Sequence, residues 1–288
     1  MASARSSRPC ATILRPGLAL GAVALVSCTA FEPHPLAPAG TSVGGTSAGW
    51  LVAGVPVPDR ADGLRAYRDR ERRHGTPRLA QIVQETAAWF AGRFDDAEVY
   101  VGDLSARSGG KVGGHHSHRS GRDVDLLFFT QSATGSVGRR ARALKFGADG
   151  LAVGVNPPIR LDLERNWALV EHLLETYPQD VQWIFVSHGV KTVLLAYALA
   201  AGASLDTVER ALSVLHQPSD STPHDDHFHV RLYCAPDDLP YGCADIPPIW
   251  PWVRRTYDGM AHAPADDAAL LDLALGPLSL EQVPDVGE

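Results

Sequence analysis

The sequence predicts an α+β domain. Three observations carry this. Alternating strand-like segments and amphipathic helix-like segments are both present; they do not follow one another in a regular strand-helix repeat; and no glycine-rich nucleotide fingerprint joins a strand to a helix, which argues against a doubly wound sheet. The 288 residues, 45% hydrophobic and 20% charged, fit one domain plus flanking segments. A formal net charge of -7 argues against binding through a basic footprint, so no nucleic-acid partner is expected.

The chain opens with Arg5, Arg8 and Arg15 before a short apolar run from Leu18 to Val26, too short to span a bilayer and laid out as a signal peptide. The run ends in Leu25-Val26-Ser27-Cys28, which resembles the bacterial lipobox. The resemblance implies that residues 1–28 are a lipoprotein-type signal and that Cys28 is lipidated and anchors the chain to a membrane. A plain secretory signal cleaved nearby is the alternative. Thr29 rather than Asp after the cysteine implies outer-membrane sorting in a Gram-negative envelope. Residues 29–48, rich in Pro, Ala, Gly, Thr and Ser, are expected to be a flexible tether.

The folded domain is expected over residues 49–255. Leu79, Ile82, Val83, Ala87 and Phe90 recur at helical spacing between Pro77 and Phe94, and a strand is expected from Ala97 to Leu104. A glycine-rich loop, Ser108 to Gly114, leads to a second strand, Arg122 to Thr130. The polar stretch from Gln131 to Asn156 is expected to be a surface excursion lining a groove. A helix from Leu161 to Tyr177 presents Trp167, Val170, Leu173 and Leu174 as its core stripe. A strand from Val181 to Ser187, helices over Lys191–Ala201 and Leu205–Leu215, and an alternating strand from His227 to Tyr233 complete the domain. Residues 256–288, with Asp266, Asp267 and Asp272 beside an Ala- and Leu-rich segment, form a tail.

Six of the twelve histidines fall in two windows, His115-His116-Ser117-His118 and His224-Asp225-Asp226-His227-Phe228-His229. Strand periodicity puts His227, His229 and Arg231 on one face and Phe228, Val230 and Leu232 on the other; it also puts Asp123 and Asp125 on a shared face. A His, an Asp and a second His can then converge, and zinc takes such ligands, three from the protein in a catalytic site. An acid inside an apolar strand is costly unless a cation or metal meets it. A salt bridge from Arg122 or Arg231 is the structural alternative, for Asp123 more readily than for Asp125. Cys234 and Cys243, separated by a short Pro- and Gly-containing loop, are expected to form a disulfide in an oxidising compartment rather than a pair of metal thiolates.

Gly114 to Asp125 (GHHSHRSGRDVD) and His224 to Leu232 (HDDHFHVRL) resemble the two signature blocks of penicillin-insensitive murein endopeptidases, related to lysostaphin-type enzymes, D-Ala-D-Ala metallopeptidases and hedgehog domains. The resemblance runs from about Trp50 to Cys243. It implies a central, mostly antiparallel sheet flanked by helices, and one Zn(2+) ion per chain bound by His118, Asp125 and His229. His227 would stand beside the metal as base or transition-state stabiliser. His115 and His224 match further family histidines, and orienting the site, donating to an oxyanion or binding metal is open to either, with His115 placed among the metal residues and His224 among the catalytic ones. His116 has no family role and is expected to be exposed; His188, a departure from the family's core strand, is expected to be structural or groove-lining. The implied activity is β-lactam-insensitive D-alanyl endopeptidase action on peptidoglycan peptides in the periplasm or cell envelope. The alternatives are a D-alanyl-D-alanine carboxypeptidase or dipeptidase on the same fold, and a non-catalytic wall-binding module.

Overall fold

A computed structural model describes residues 37–95, 97–132 and 143–254. The signal segment, Cys28, tether residues 29–36 and the tail lie outside the described residues. Among the described residues no helix is long and apolar enough to cross a membrane.

The core of the fold is a seven-stranded sheet built from β1 (Arg60–Ala61), β2 (Leu64–Ala66), β3 (Val99–Val101), β4 (Asp123–Leu127), β5 (Val181–Phe185), β6 (Leu215–His216) and β7 (His227–Leu232), in the spatial order β6-β5-β7-β4-β3-β2-β1. Only the β5–β6 and β2–β3 pairs are parallel, so the sheet is mostly antiparallel and the fold is α+β. Strand β7 alternates as its sequence requires: Phe228, Val230 and Leu232 are at most 1% exposed and join the main hydrophobic core. The opposite face carries His227, His229 and Arg231.

Among the described residues four α-helices accompany the sheet: α1 (Pro77–Arg93), α2 (Leu163–Thr176), α3 (His188–Ala200) and α4 (Leu205–Val214). Each starts where a side chain can accept a first-turn N–H: Thr76 from Leu79, Asp162 from Arg165, Ser187 from Val190 and Ser204 from Thr207. Pro77 at the first position of α1 has no N–H to leave unsatisfied. The Ser187 cap explains why α3 begins three residues before the Lys191 expected from apolar spacing, and it leaves His188 exposed at the helix start, away from the groove.

The tether expected over 29–48 gives way to folded structure before its end. Ser42–Val43 pairs with Trp50–Leu51, and Ser42 and Val43 are essentially fully buried. Small polar residues are at home there because distant groups satisfy them: the Ser42 N–H donates to Asp238 at 3.2 Å, and its hydroxyl accepts from Arg122 Nε at 3.2 Å. The Cys234–Cys243 disulfide is present and closes this corner. In the excursion after β4, Thr130–Ser132 pairs with Ile159–Leu161, and the Phe146 N–H donates to the Asp225 carbonyl, bringing Lys145 to the rim of a groove.

Candidate metal centre

Register builds the site. His229 on β7 lies opposite Asp125 on β4 and opposite Phe185 on β5; one step along, Arg231 lies opposite Asp123 and Trp183. Directly opposed residues share a face, so two parallel rows cross the sheet: Phe185-His229-Asp125 and Trp183-Arg231-Asp123.

His118 arrives from the loop before β4 in a left-handed backbone conformation, φ 63°, which is strained for a residue with a side chain. Its surroundings hold it there. Its N–H donates to Asp123 Oδ2 at 3.1 Å, its carbonyl accepts from the Ser105 hydroxyl at 2.6 Å, and Nδ1 meets the Leu104 carbonyl at 2.8 Å. A carbonyl only accepts, so Nδ1 carries the proton and Nε2 is turned to Asp125 Oδ1, 3.2 Å away. Gly121, φ 77°, makes the turn into β4, where a Cβ would strike the Leu51 side chain at 2.7 Å.

Asp125 Oδ1 is the focus of the cluster. Besides His118 Nε2 it faces His227 Nε2 at 3.4 Å and His229 Nδ1 at 3.7 Å. The far nitrogens of those two rings are fixed by other carboxylates: His229 Nε2 bonds Asp123 Oδ1 at 2.9 Å and His227 Nδ1 bonds Asp226 Oδ1 at 2.5 Å. Three imidazole nitrogens thus turn toward one carboxylate oxygen. Both Asp125 Oδ1 and His118 Nε2 are buried without a hydrogen-bond partner. Arg231 pairs with Asp123 at 2.7 Å and Arg122 with Asp245 at 2.8 Å, so the arginines considered as partners for Asp125 are engaged elsewhere.

An imidazole nitrogen and a carboxylate oxygen, both buried and facing each other without a geometric hydrogen bond, form a donor set that suits a metal cation. His115, His118 and Asp125 offer ligand atoms all within 4.8 Å of one another and can hold a metal ion. His115 therefore comes forward from its secondary place in the sequence reading; His229 approaches Asp125 at 3.7 Å but is not a member of that tight trio. His115 Nε2 also meets Asp103 Oδ2 at 2.9 Å, and Asp103 is further held by Arg72 at 3.0 Å.

Electrostatics follow from this packing. Burial opposes charge on His118, but the Asp125 carboxylate beside it outweighs burial and raises its pKa. Burial would raise Asp125, yet His118 and His227 hold it well below the usual carboxylate range. His227 is likewise penalised by burial but pushed up to about 10 by Asp125 and Asp226. His229 is lowered to about 4 by burial and the neighbouring His118, and His224 to about 3 by burial and the neighbouring His229 and His227. A carboxylate cluster that draws protons onto imidazoles in this way is one a cation would neutralise instead.

A groove of about 680 Å³ opens over the cluster, lined among others by His115, His224, His227, Lys145, Trp183 and Phe185. Residues 42–251 match the family profile described as penicillin-insensitive murein endopeptidase. The chain belongs to the penicillin-insensitive murein endopeptidase family. Relatives bearing that name include the Salmonella arizonae protein, 29% identical over 220 residues, and the Salmonella typhi protein, 28% identical over 223 residues; each alignment covers 75% of this chain and 74% of the relative. The Citrobacter koseri protein of the same name is 27% identical over 217 residues, with the same coverage.

Within this murein endopeptidase fold the expected site residues His115, His118, Asp125, His224, His227 and His229 come together, while His116 is exposed as expected. Sequence reasoning missed Asp103, Asp226 and the Leu104 carbonyl as orienting groups. Asp103 left one signal, an acid inside a segment otherwise read as a strand; Asp226 left its position next to His227. Three serines have hydrolase-like spacing, Ser42 and Ser47 in Gly-x-Ser-x-Gly and Ser108 in Ser-x-x-Lys. Among the described residues the Ser42 hydroxyl is taken by Arg122 and neither Ser47 nor Ser108 bonds an imidazole, so none is set up there as a nucleophile.

Proposed function

We propose that this chain is a zinc-dependent peptidase that hydrolyses D-alanyl cross-links of peptidoglycan, with one ion per chain. The observation carrying this reading is the approach of two buried, partnerless atoms, His118 Nε2 and Asp125 Oδ1, at 3.2 Å under a peptide-sized groove. His118, Asp125 and His229 would hold the metal, with His115 beside them as a further ligand. When bound, zinc supplies a Lewis acid that polarises the scissile carbonyl and brings the pKa of water to about 7.

The remaining chemistry belongs to the chain. Leu104 and Asp123 set the tautomers of His118 and His229. Asp226 orients His227 so that its Nε2, facing the cluster, holds and moves a proton during amide hydrolysis. His224, stripped of charge by burial, packs its ring 5.4 Å from His227 and 5.5 Å from His229 and keeps both oriented. Phe185 and Trp183 wall the site and exclude water. The lipobox-like Cys28 would tether the enzyme in the cell envelope, on the outer membrane in a Gram-negative cell; C28A should free it from membranes.

Digestion of purified muropeptides with product masses tests the reading. Dimers should split to monomers, stop with chelator and resume with zinc. Loss of only a terminal alanine from monomers would replace it with a carboxypeptidase, and binding without product would replace it with a wall-binding module.

A further inference from the structure

Arg231 stands apart from the metal cluster and the proposed mechanism leaves part of it unused. Its Nε donates to Asp123 Oδ1 at 2.7 Å, and its guanidinium carbon sits 4.9 Å from the centre of the Phe185 ring. Those two contacts fix the plane of the group. Neither terminal nitrogen has a protein partner among the described residues. The side chain is 16% exposed and, with Trp183, lines both the main groove and a smaller cavity of about 60 Å³. The guanidinium therefore stands in the groove wall with Nε and one face engaged and its terminal N–H groups making no protein hydrogen bond among the described residues.

The neighbouring charges do not cancel this offer. Asp123 is fully engaged, with Oδ1 taking His229 and Arg231 and Oδ2 taking the His118 N–H. Arg122, which lines the smaller cavity, spends its terminal nitrogens on Asp245 and on the Leu232, Ala244 and Gly44 carbonyls. Lys145, on the groove's rim, is paired with Asp225 at 3.4 Å. A planar guanidinium with free terminal N–H groups matches a carboxylate in two-point fashion.

Strand geometry says where that carboxylate lies. Arg231 follows His229 by two residues on the same face of β7, a rise of about 7 Å. One extended residue spans about 3.5 Å and a hydrogen bond about 3 Å, so the carboxylate belongs to the residue flanking the bond held at the metal cluster. We propose that Arg231 is a specificity-determining residue that binds a free carboxylate on the amino acid contributing the amine to the scissile amide. This rests on the endopeptidase reading for the identity of the peptide, not for the existence of the anion site. It makes the enzyme selective for cross-links whose amine-side residue is a free acid over those in which it is amidated.

The test uses the full chain and a pair of muropeptide dimers that differ only in whether that carboxylate is free or a carboxamide. Affinities are measured calorimetrically on chelator-treated protein, so that ligand is not consumed, and turnover is measured on the zinc-loaded protein. Wild type should bind the free acid at least tenfold more tightly than the amide, and R231Q should bind the two within twofold of each other. R231K, which keeps a charge for Asp123 without the planar fork, guards against misfolding of R231Q and should cut the preference at least threefold. Equal affinities in wild type, a preference untouched in either variant, or a loss that falls equally on both dimers overturns the proposal, the last by marking Arg231 as a structural partner of Asp123 only. A preference that holds without any hydrolysis supports the carboxylate site and overturns the endopeptidase reading; hydrolysis without preference does the reverse.

Discussion

The Asp123 carboxylate accepts the Nε2–H of His229 at 2.9 Å and thereby leaves Nδ1 as the ring nitrogen turned toward Asp125. The same Oδ1 takes Arg231 Nε, so a single buried acid orients an imidazole and neutralises a guanidinium. Such orienting partners are worth about 10–100-fold in metal affinity. D123N is expected to weaken zinc binding by that order and to lower stability by about 3 kcal/mol, because Arg231 loses its counter-charge. Competition with a chromophoric chelator, alongside urea unfolding, measures both; unchanged zinc affinity would remove His229 from the ligand set.

His118 and His116 differ by two positions in sequence and completely in burial, the first at 0% exposure and the second exposed. H118A is expected to lose bound zinc and all activity, whereas H116A keeps both. Metal analysis of the two purified proteins decides, and a full complement of zinc in H118A would sink the assignment.

In the proposed mechanism His227 moves the proton and Asp226 orients it. H227A should retain zinc while kcat falls by about 10²–10⁴-fold, the usual contribution of a general acid or base. D226N should cost less, about tenfold, since it disturbs orientation alone. Muropeptide turnover with parallel metal analysis separates this from ligand loss: zinc missing from H227A would make His227 a ligand instead.

Asp238 supplies a pH dependence away from the site. Burial pushes its carboxyl up to about 6, although it accepts the Ser42 N–H. A folded pKa above the unfolded value means that the native state binds more protons between about pH 4 and 6. Its contribution to stability is therefore fully present below about pH 4 and lost as pH rises through 6. D238N keeps an acceptor for Ser42 without the buried charge. Relative to D238N, wild type should lose stability from pH 4 to 6 and show a constant deficit above it; denaturation midpoints across that range check this, and parallel curves would refute it.

The Cys234–Cys243 bridge closes a short loop, nine positions apart, next to the buried Ser42–Val43 strand. Chain-entropy arguments put such a loop at about 2–3 kcal/mol. The double alanine variant should unfold at correspondingly lower urea with zinc affinity intact, because the corner lies outside the metal cluster.

Legibility tracked the range of the interactions involved. Strand β7 was readable because one residue in two is apolar, and α1 and α2 because their core stripes are long. The helix starts depended on local caps, and at α3 the cap Ser187 overrode the apolar pattern. The segment around Ser42 reads as a tether because its composition is that of a linker; its pairing with Trp50–Leu51 and its bonds to Arg122, Asp238 and Gly242, far along the chain, make it part of the fold. Strands β1, β2 and β6, two or three residues long, left no periodic trace.

The sequence by itself determined that imidazoles and carboxylates would gather, which strand faces they would share, and that Cys234 could reach Cys243. Periodicity and short spacing are local properties, and a backbone enforces them wherever the strand forms. Only the tertiary structure decided which nitrogen of each ring faces Asp125, that His115 joins His118 and Asp125 in the tight trio, and that Arg231 answers Asp123 rather than Asp125. Those choices turn on a hydrogen bond from His229 to Asp123, 106 positions earlier, on the Leu104 carbonyl, and on the β4–β7 register. Contacts between distant segments are set by packing and leave no spacing in the chain to read.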